Sequence, residues 1–440
     1  MALILSPDQR ESMDYLSESM FEFHSKEEML AGAAGCGKST IMDVLIEESP
    51  VPVVLAAATG KAKTVLAEKT GMPTFTAHSI AYQGADEDED GNLWFRKRED
   101  GSVGADMFAG DTSDYAHRAA MRALRSGHRM ILAIDETSML DRWLKADLMK
   151  ALNPKVQVLG VGDHEQIPPV SGRANAGWDL RSARAKLTKV HRQDPGPLLS
   201  FVTHVRVEHV VPTPQLVDRF GLEVSSDGAL AVAEKLAGWH RAGEDFACLV
   251  PKNATRVAMN NLFRAAMGYP PMSEGPQRGE RIIVLSNNKH VPCCNGEVGS
   301  VISAMPERTF RTMDHHGDLE IWKVKADLGD GRPKILRICL QAWTDKYLAG
   351  NPDKAMRDAL WGSRMKNKKR WLDKLVGLAP AGAMTIHKSQ GSQYDKLVVL
   401  LDEADWMRNE ESNLWYTAYT RGAGEVLTVL GRKYKNRGTR

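Results

Sequence analysis

Residues 30–40 read LAGAAGCGKST. The spacing Gly32-x-x-x-x-Gly37-Lys38-Ser39 is that of a phosphate loop. Glycines at 32, 35 and 37 let the backbone curl so that its N–H groups point inward at an anion. In such a loop the Lys38 ammonium reaches the β and γ phosphates, and the Ser39 hydroxyl holds a magnesium ion with Thr40 beside it. The flanks agree. Lys26 to Leu30 reads as a short strand running into the loop, and Ser39 to Glu48 as the helix that leaves it.

Working outward, VPVVLAAAT (51–59), RMILAIDE (129–136) and VQVLGVGD (156–163) are continuous apolar runs. Strands buried on both faces of a parallel sheet have that texture. Helical segments lie between them, so the fold class is α/β. The run 129–136 ends in Asp135 and Glu136. A phosphate loop needs a second magnesium carboxylate at a strand end, which Asp135 supplies. Glu136 is suited to polarise an attacking water. The next strand ends in GVGDHEQIPPV (160–170), where Asp163 and Gln166 fall at the strand edge, and Gln166 can hold a water or a phosphate oxygen.

The rhythm is interrupted twice. DEDEDGNLWFRKRED (86–100) is an acidic run, a turn, two aromatics and three basic residues, read as an inserted hairpin. EVGSVISAM, LEIWKVKADLG and PKILRICL, within 297–342, read as a small β insertion, followed by a basic helical stretch over 351–375. Between the interruptions a second α/β region starts near Leu187 and contains FACLVPKNATRVAMNNLF (246–263). It resumes with AMTIHKSQG (383–391), KLVVLLDEA (396–404) and GEVLTVLG (424–431).

The 440 residues are enough for two to four domains. Net charge is +2, which neither demands nor excludes nucleic acid. No run of eighteen apolar residues exists, and the N-terminus lacks a basic leader, so neither a membrane span nor a signal peptide is expected. Five scattered cysteines suggest a reducing compartment and no zinc site. Arg192 in KLTKVHRQD (186–194) and Arg421 in LWYTAYTRG (414–422) are candidates to offset charge on a transferring phosphoryl group.

The order of these motifs resembles the superfamily 1 helicases, and within them the RecD/Dda-like branch that moves 5′→3′ on single-stranded DNA. Beyond the loop, Asp135-Glu136 and the two arginines, the likeness takes in AATGKAKTVL (57–66), FTAHSI (75–80), DETSM (135–139), GDHEQIPPV (162–170), SNNKHVPCCNGEVG (286–299), AMTIHKSQGSQYD (383–395) and YTAYTRG (416–422). It implies two RecA-like domains. The first spans 1–180, with a pin-bearing insertion at about 80–115. The second spans 181–296 and 381–440, with an SH3-like β-barrel and basic stretch between them at 297–380. It implies ATP and Mg²⁺ as cofactors, with Gln9 reading adenine and Gly391 on the nucleotide side. Its DNA contacts would be Thr59, Lys61, His78, Asn288, Thr385, His387 and Lys388, with Trp94 and Phe95 as the pin aromatics.

Single-stranded and forked DNA are the implied partners, with a single-strand-binding protein or a replisome component as a candidate protein partner. A chain acting alone, in a bacterial or phage-infected cytoplasm, is expected. Two other readings stay open: an RNA-directed helicase or translocase of the same superfamily, and a nucleic-acid loading module that uses ATP as a switch. Polarity comes from the resemblance alone, since nothing in the charge pattern gives direction.

Overall fold

The computed structural model describes residues 5–82, 85–87, 93–95, 120–169, 171–191, 196–285, 293, 296–310, 319–329, 331–343, 375–402 and 412–431. The chain divides into two compact units, Met1–His209 and Val210–Arg440.

The first unit opens with α1 (Pro7–Leu16), capped by Ser6 and started by Pro7, and a π turn, Ser17–Phe21, extends it. Then follow β1 (Glu27–Gly32), α2 (Lys38–Glu48), β2 (Val53–Ala57), α3 (Gly60–Thr70), β3 (Thr74–Thr76) and α4 (Ala77–Tyr82). After the interruption come β4 (Ala85–Glu87) and β5 (Leu93–Phe95), then β6 (Met130–Asp135), α5 (Arg142–Ala151), β7 (Val156–Gly162), β8 (Ala185–Leu187) and α6 (Pro197–Glu208). Six strands form one sheet in the order β3-β2-β6-β7-β1-β8, and every pairing is parallel.

The apolar runs build this sheet because successive side chains point to opposite faces. Val54, Leu132, Ile134 and Val158 join one core with Leu144 and Leu148 of α5. Leu55, Ile131, Ala133 and Leu159 join the other with Met13 and Leu16 of α1 and Ile41 and Leu45 of α2. Each fully buried Leu or Ile stabilises the sheet by about 1.5–3 kcal/mol. Because the strands are parallel, the exits of β1, β6 and β7 all leave from one edge, where ligands of such sheets bind.

The acidic and aromatic interruption does contain a hairpin: β4 pairs with β5 antiparallel, with Asp86 opposite Trp94 and Ala85 opposite Phe95. The end of the acidic run and the expected turn at Gly91-Asn92 lie outside the described residues, as does the stretch 96–119.

The second unit contains α7 (Pro214–Arg219), β9 (Glu223–Ser225), α8 (Ala229–Arg241), β10 (Phe246–Val250), α9 (Asn253–Ala266), β11 (Arg281–Val284), β12 (Val298–Phe310), β13 (Leu319–Asp327), β14 (Lys334–Cys339) and α10 (Leu340–Trp343). It continues with β15 (Leu378–Pro380), β16 (Met384–Thr385), β17 (Tyr394–Asp402), α11 (Ser412–Tyr419) and β18 (Gly422–Gly431). A parallel sheet, β16-β10-β17-β18-β9, packs α8 and α9 through Leu236, Phe246, Phe263, Val398 and Leu427. A second sheet, β14-β13-β12-β11-β15, is antiparallel.

Two expected boundaries move. The second α/β region was expected from residue 181, but β8 pairs with β1 as an edge strand of the first sheet, and residues as far as His209 cluster with the first unit. A three-residue strand followed by a helix carries too little periodicity to reveal its partner. The β insertion, expected over 297–342, recruits β11 upstream and β15 downstream. Its strand order runs from β14 to β15, and an isolated bridge joins Arg337 of β14 to Leu375, just ahead of β15, where the Val376 N–H donates to the Arg337 carbonyl at 2.7 Å. The basic stretch at 351–374 lies outside the described residues. Among the described residues no helix is long and apolar enough to cross a membrane.

Candidate nucleotide site and nucleic-acid interface

The loop between β1 and α2 takes the shape its glycines allow. Gly35 and Gly37 sit at φ 80° and 89°, a left-handed conformation that side chains resist. Gly37 caps α2, so the positive end of an eleven-residue helix opens onto the loop. The Lys38 ammonium folds back over it, donating to the Gly32 carbonyl at 2.9 Å and the Ala33 carbonyl at 3.0 Å. A Cβ on Gly32 would stand 2.4 Å from Cys36 Sγ, so the β1 exit also requires glycine. Ser39 and Thr40 fall in the first turn of α2 and are partly exposed.

The neighbouring strand exits add acid and amide groups. Asp135 ends β6, and its Oδ1 accepts the Glu136 N–H at 2.9 Å. Glu136 takes φ 55°, unusual for a non-glycine residue, which turns the chain sharply after the strand. The Thr137 hydroxyl donates to the Val161 carbonyl at 3.0 Å and ties this exit to β7. Past β7, Asp163 is fully buried, and its carbonyl accepts the Gln166 N–H at 3.1 Å. Gln166 is itself 2% exposed, and its side-chain oxygen has no hydrogen-bond partner among the described residues. That oxygen is an acceptor that a bound water can satisfy. The Ser39 hydroxyl and Asp135 carboxylate are hard oxygen donors of the kind magnesium takes beside phosphate oxygens, so the residues fit that ion.

Several charges here were not singled out from the sequence. Arg206 of α6 lies 3.3 Å from Asp163. Glu165, 4% exposed, faces Arg181 at 3.2 Å, His209 at 3.2 Å and His164 at 3.3 Å. Burial pushes the Cys36 thiol up, while Lys38 and Arg206 pull it down and Asp163 pushes it up, so all three charges act on the loop. An arginine in the last turn of a helix, such as Arg206, is a common feature that carries no signature of its own; only its ion pair with Asp163 at the β7 exit reveals it.

At the other end of the loop, Gln9 is held by both ends of its amide. Its oxygen accepts the Ser6 N–H at 3.0 Å, and its nitrogen donates to the Cys36 carbonyl at 3.2 Å. A cavity of about 500 Å³ lies here, lined by Leu5, Ser6, Pro7, Gln9, Gly37, Thr40, Lys189 and His191. The His191 N–H donates to the Gly35 carbonyl at 2.8 Å, so the segment after β8 touches the phosphate loop directly. Arg192 follows immediately but lies outside the described residues.

The expected DNA contacts fall in different environments. The Thr59 hydroxyl caps α3, accepting the Ala62 N–H at 3.2 Å, and Lys61 is partly exposed. His78 is exposed on the first turn of α4. In the second unit His387 is exposed, while Lys388 donates to the Leu285 carbonyl at 3.2 Å. Thr385 is buried in β16, so its side chain is not at a surface. Gln390 is buried and Gly391 takes φ 78°. Arg421, 4% exposed, donates to the Thr417 carbonyl at 3.1 Å and the Ser392 carbonyl at 3.4 Å within its own unit. Trp94 and Phe95 are on β5, and Asn288 lies outside the described residues.

Two family models match the chain: an AAA domain over residues 4–219 and a UvrD-like helicase C-terminal domain over 380–429. The chain is 24% identical over 416 residues to the ATP-dependent RecD2 DNA helicase of Deinococcus radiodurans, covering 91% of this chain and 46% of that protein. It is 29% identical over 185 residues to the ATP-dependent DNA helicase dda of Enterobacteria phage T4, covering 40% of this chain and 36% of that protein. The chain thus spans less than half the length of either relative. Among solved structures it resembles a Bacteroides Pif1 helicase in complex with ADP-AlF3 and single-stranded DNA. There the TM-score is 0.53 at 18% identity, covering 97% of this chain and 92% of the other. A Candida albicans Pif1 helicase gives a TM-score of 0.52 at 17% identity, covering 98% and 95%. The phosphate loop, the acidic strand end and the glutamine turn, with the two family models and the RecD2 and dda relatives, put the chain in the superfamily 1 helicases on the RecD/Dda side, while the Pif1 structures share its fold.

Proposed function

We propose that the chain is an ATP-dependent DNA helicase that moves 5′→3′ along single-stranded DNA and parts the duplex at the Trp94–Phe95 hairpin. The observation that carries the reading is the buried Gln166 oxygen at the β7 exit, on the same sheet edge as Lys38 and the Asp135–Glu136 pair. An unsatisfied acceptor beside a phosphate loop suits a water-holding or γ-phosphate-sensing group, which hydrolysis needs and a static binding module does not.

The chemistry follows from the residues. The loop N–H groups and the α2 terminus hold the phosphate chain. Lys38 leaves the Gly32 and Ala33 carbonyls for the β and γ phosphates. Ser39 and Asp135 would hold magnesium, which would offset phosphate charge. Glu136 takes the proton of the water, and Gln166 orients that water. Arg192 and Arg421 stabilise charge on the transferring group. With its amide fixed by Ser6 and Cys36, Gln9 offers a spare lone pair and a spare N–H. That pair matches the adenine amino group and N7, whereas guanine would set its O6 against the Gln9 oxygen. Thr59, Lys61, His78, Asn288, His387 and Lys388 grip phosphate and sugar without reading sequence, with Thr385 supporting from below.

The test is steady-state ATP hydrolysis with and without single-stranded DNA, then unwinding of duplexes carrying a 5′ or a 3′ overhang. Stimulation of roughly tenfold or more, with opening only from the 5′ overhang, is the expected result. Opening from the 3′ overhang would reverse the direction. Equal stimulation by RNA would make the enzyme RNA-directed, and tight ATP-dependent DNA binding without turnover would make it a loading module.

A further inference from the structure

Asp8 sits beside the base end of the nucleotide site and joins two parts of the chain 180 residues apart. Its Oδ1 accepts from the Ser6 hydroxyl at 2.6 Å and the Gln9 N–H at 3.1 Å. Its Oδ2 accepts from the Thr188 N–H at 2.8 Å, the Lys189 N–H at 3.0 Å and the Thr188 hydroxyl at 3.2 Å. Five donors converge on one carboxylate. Burial by itself pushes the Asp8 carboxyl up, but the bonds from Ser6, Lys189 and Thr188 outweigh it and hold the group well below the usual carboxylate range. The group is therefore an anion throughout the working pH range.

What it joins gives the bond set its meaning. On one side is the start of α1, where Gln9 presents its fixed amide. On the other is the segment after β8, where Lys189 and His191 line the same cavity as Gln9. The same segment reaches the phosphate loop through the His191 N–H on the Gly35 carbonyl. The walls of the cavity thus come from two distant stretches of chain; Asp8 bonds to both at the cavity itself, and one turn further along α1 the Ser12 hydroxyl donates to the Lys186 carbonyl of β8 at 3.4 Å.

We propose that Asp8 is the positioning residue of the purine site. Its carboxylate latches the Thr188–His191 wall to the Gln9 helix start, fixing the width of the cleft and the angle at which Gln9 meets the base. Selectivity for adenine over guanine then depends on Asp8 although it touches neither base. The inference rests on the nucleotide reading above and extends it to what sets base selectivity.

Asp8→Asn is the nearest isostere. Its amide nitrogen is a donor and must face either the Thr188–Lys189 N–H pair or the Ser6 and Gln9 donors, so one side of the latch opens. Thr188→Val is milder and removes one of the three bonds to Oδ2. Calorimetric titration of the full chain with ADP, GDP and inorganic pyrophosphate separates the possible roles. Pyrophosphate engages the phosphate loop alone, and so reports on the loop without the base.

Asp8→Asn should weaken ADP about tenfold, bring the ADP-to-GDP preference toward unity, and leave pyrophosphate affinity within about twofold. Thr188→Val should move the same ratio in the same direction by a smaller amount, and it carries the test alone if Asp8→Asn does not fold. A preference unchanged in the folded variants, or pyrophosphate affinity falling in step with ADP, would overturn the latch and leave Asp8 a scaffold residue. If the unaltered protein bound none of the three ligands, the nucleotide reading itself would fall and the latch with it, a result distinct from either of those.

Discussion

Arg206 on α6 lies 3.3 Å from Asp163, a carboxylate with no solvent exposure at the exit of β7. The pair joins the last helix of the first unit to the turn that carries Gln166. Removing one partner of a buried ion pair is far costlier than never having had the pair. The Arg206 side chain is a quarter exposed, which puts it at the mild end of that range. Arg206→Ala should destabilise the first unit by about 2–3 kcal/mol and lower ATP turnover, with Arg206→Lys recovering part of both. Chemical denaturation and steady-state hydrolysis check it; a stability change below about 0.5 kcal/mol would show that Asp163 does not need the guanidinium.

Gly37 carries a double constraint. Its φ of 89° disfavours any side chain, and a Cβ there would stand 2.2 Å from the Gln9 amide nitrogen. Gly37→Ala should therefore cost about 1–2 kcal/mol and also push Gln9 off its Ser6 and Cys36 partners. Gly71, with φ 66° and open space around its Cβ position, is the control. Gly71→Ala should cost only the backbone strain, and nucleotide affinity should stay as it was. Equal effects of the two substitutions on ADP affinity would rule out the contact with Gln9.

Lys38 is partly exposed, and its ammonium donates to two loop carbonyls that water can also satisfy. Lys38→Ala should leave the thermal midpoint nearly unchanged while hydrolysis falls by a factor of about 10²–10³. A thermal scan beside a turnover assay separates the two effects, and residual turnover above about a tenth of the original would remove Lys38 from the phosphoryl-transfer step.

The parts legible in the sequence are those whose physics is local. Gly35 and Gly37 announce a left-handed loop, and the even burial of Met130–Ile134 announces a central parallel strand. What escaped depends on distant partners. Nothing in Ala185–Leu187 says that it pairs with Leu30–Gly32, so the unit boundary was expected before it. Arg206 and Asp8 look like ordinary helix-surface charges until the fold brings Asp163 and Thr188 to them. The resemblance puts Thr385 among the DNA contacts; β16 buries it beside β10, a placement that depends on a strand distant in sequence.

Acid should weaken the second unit through His240. Burial holds its ring below the ordinary imidazole value, Arg281 and Arg241 act in the same direction, and the bond to the Gly279 carbonyl opposes them. The unfolded ring, with a pKa of about 6.5, takes up a proton before the folded one does. The neutral ring's contribution is therefore complete above about pH 6.5 and is lost as the pH falls toward the lower folded value. Denaturation midpoints at pH 7.5 and pH 5.5 should differ less for His240→Gln than for the unaltered chain. An equal pH slope in the two proteins would assign the acid sensitivity to other groups.

The β4–β5 hairpin offers the sharpest separation of motor from wedge. Trp94 and Phe95 are neighbours on β5, which pairs with β4. On the proposed wedge reading, one of these two aromatics leads at a fork. A base stacked on an aromatic is worth about 1–3 kcal/mol, which is roughly five- to 150-fold in the rate of a step that depends on it. Replacing the leading aromatic with alanine should slow duplex opening by that amount while single-strand-stimulated hydrolysis changes by less than about threefold. Replacing the other should lower hairpin stability and affect opening less. Comparing Trp94→Ala with Phe95→Ala on a forked duplex identifies which ring leads, and equal loss of opening and hydrolysis in both would mean that the hairpin belongs to the core of the first unit and not to a wedge.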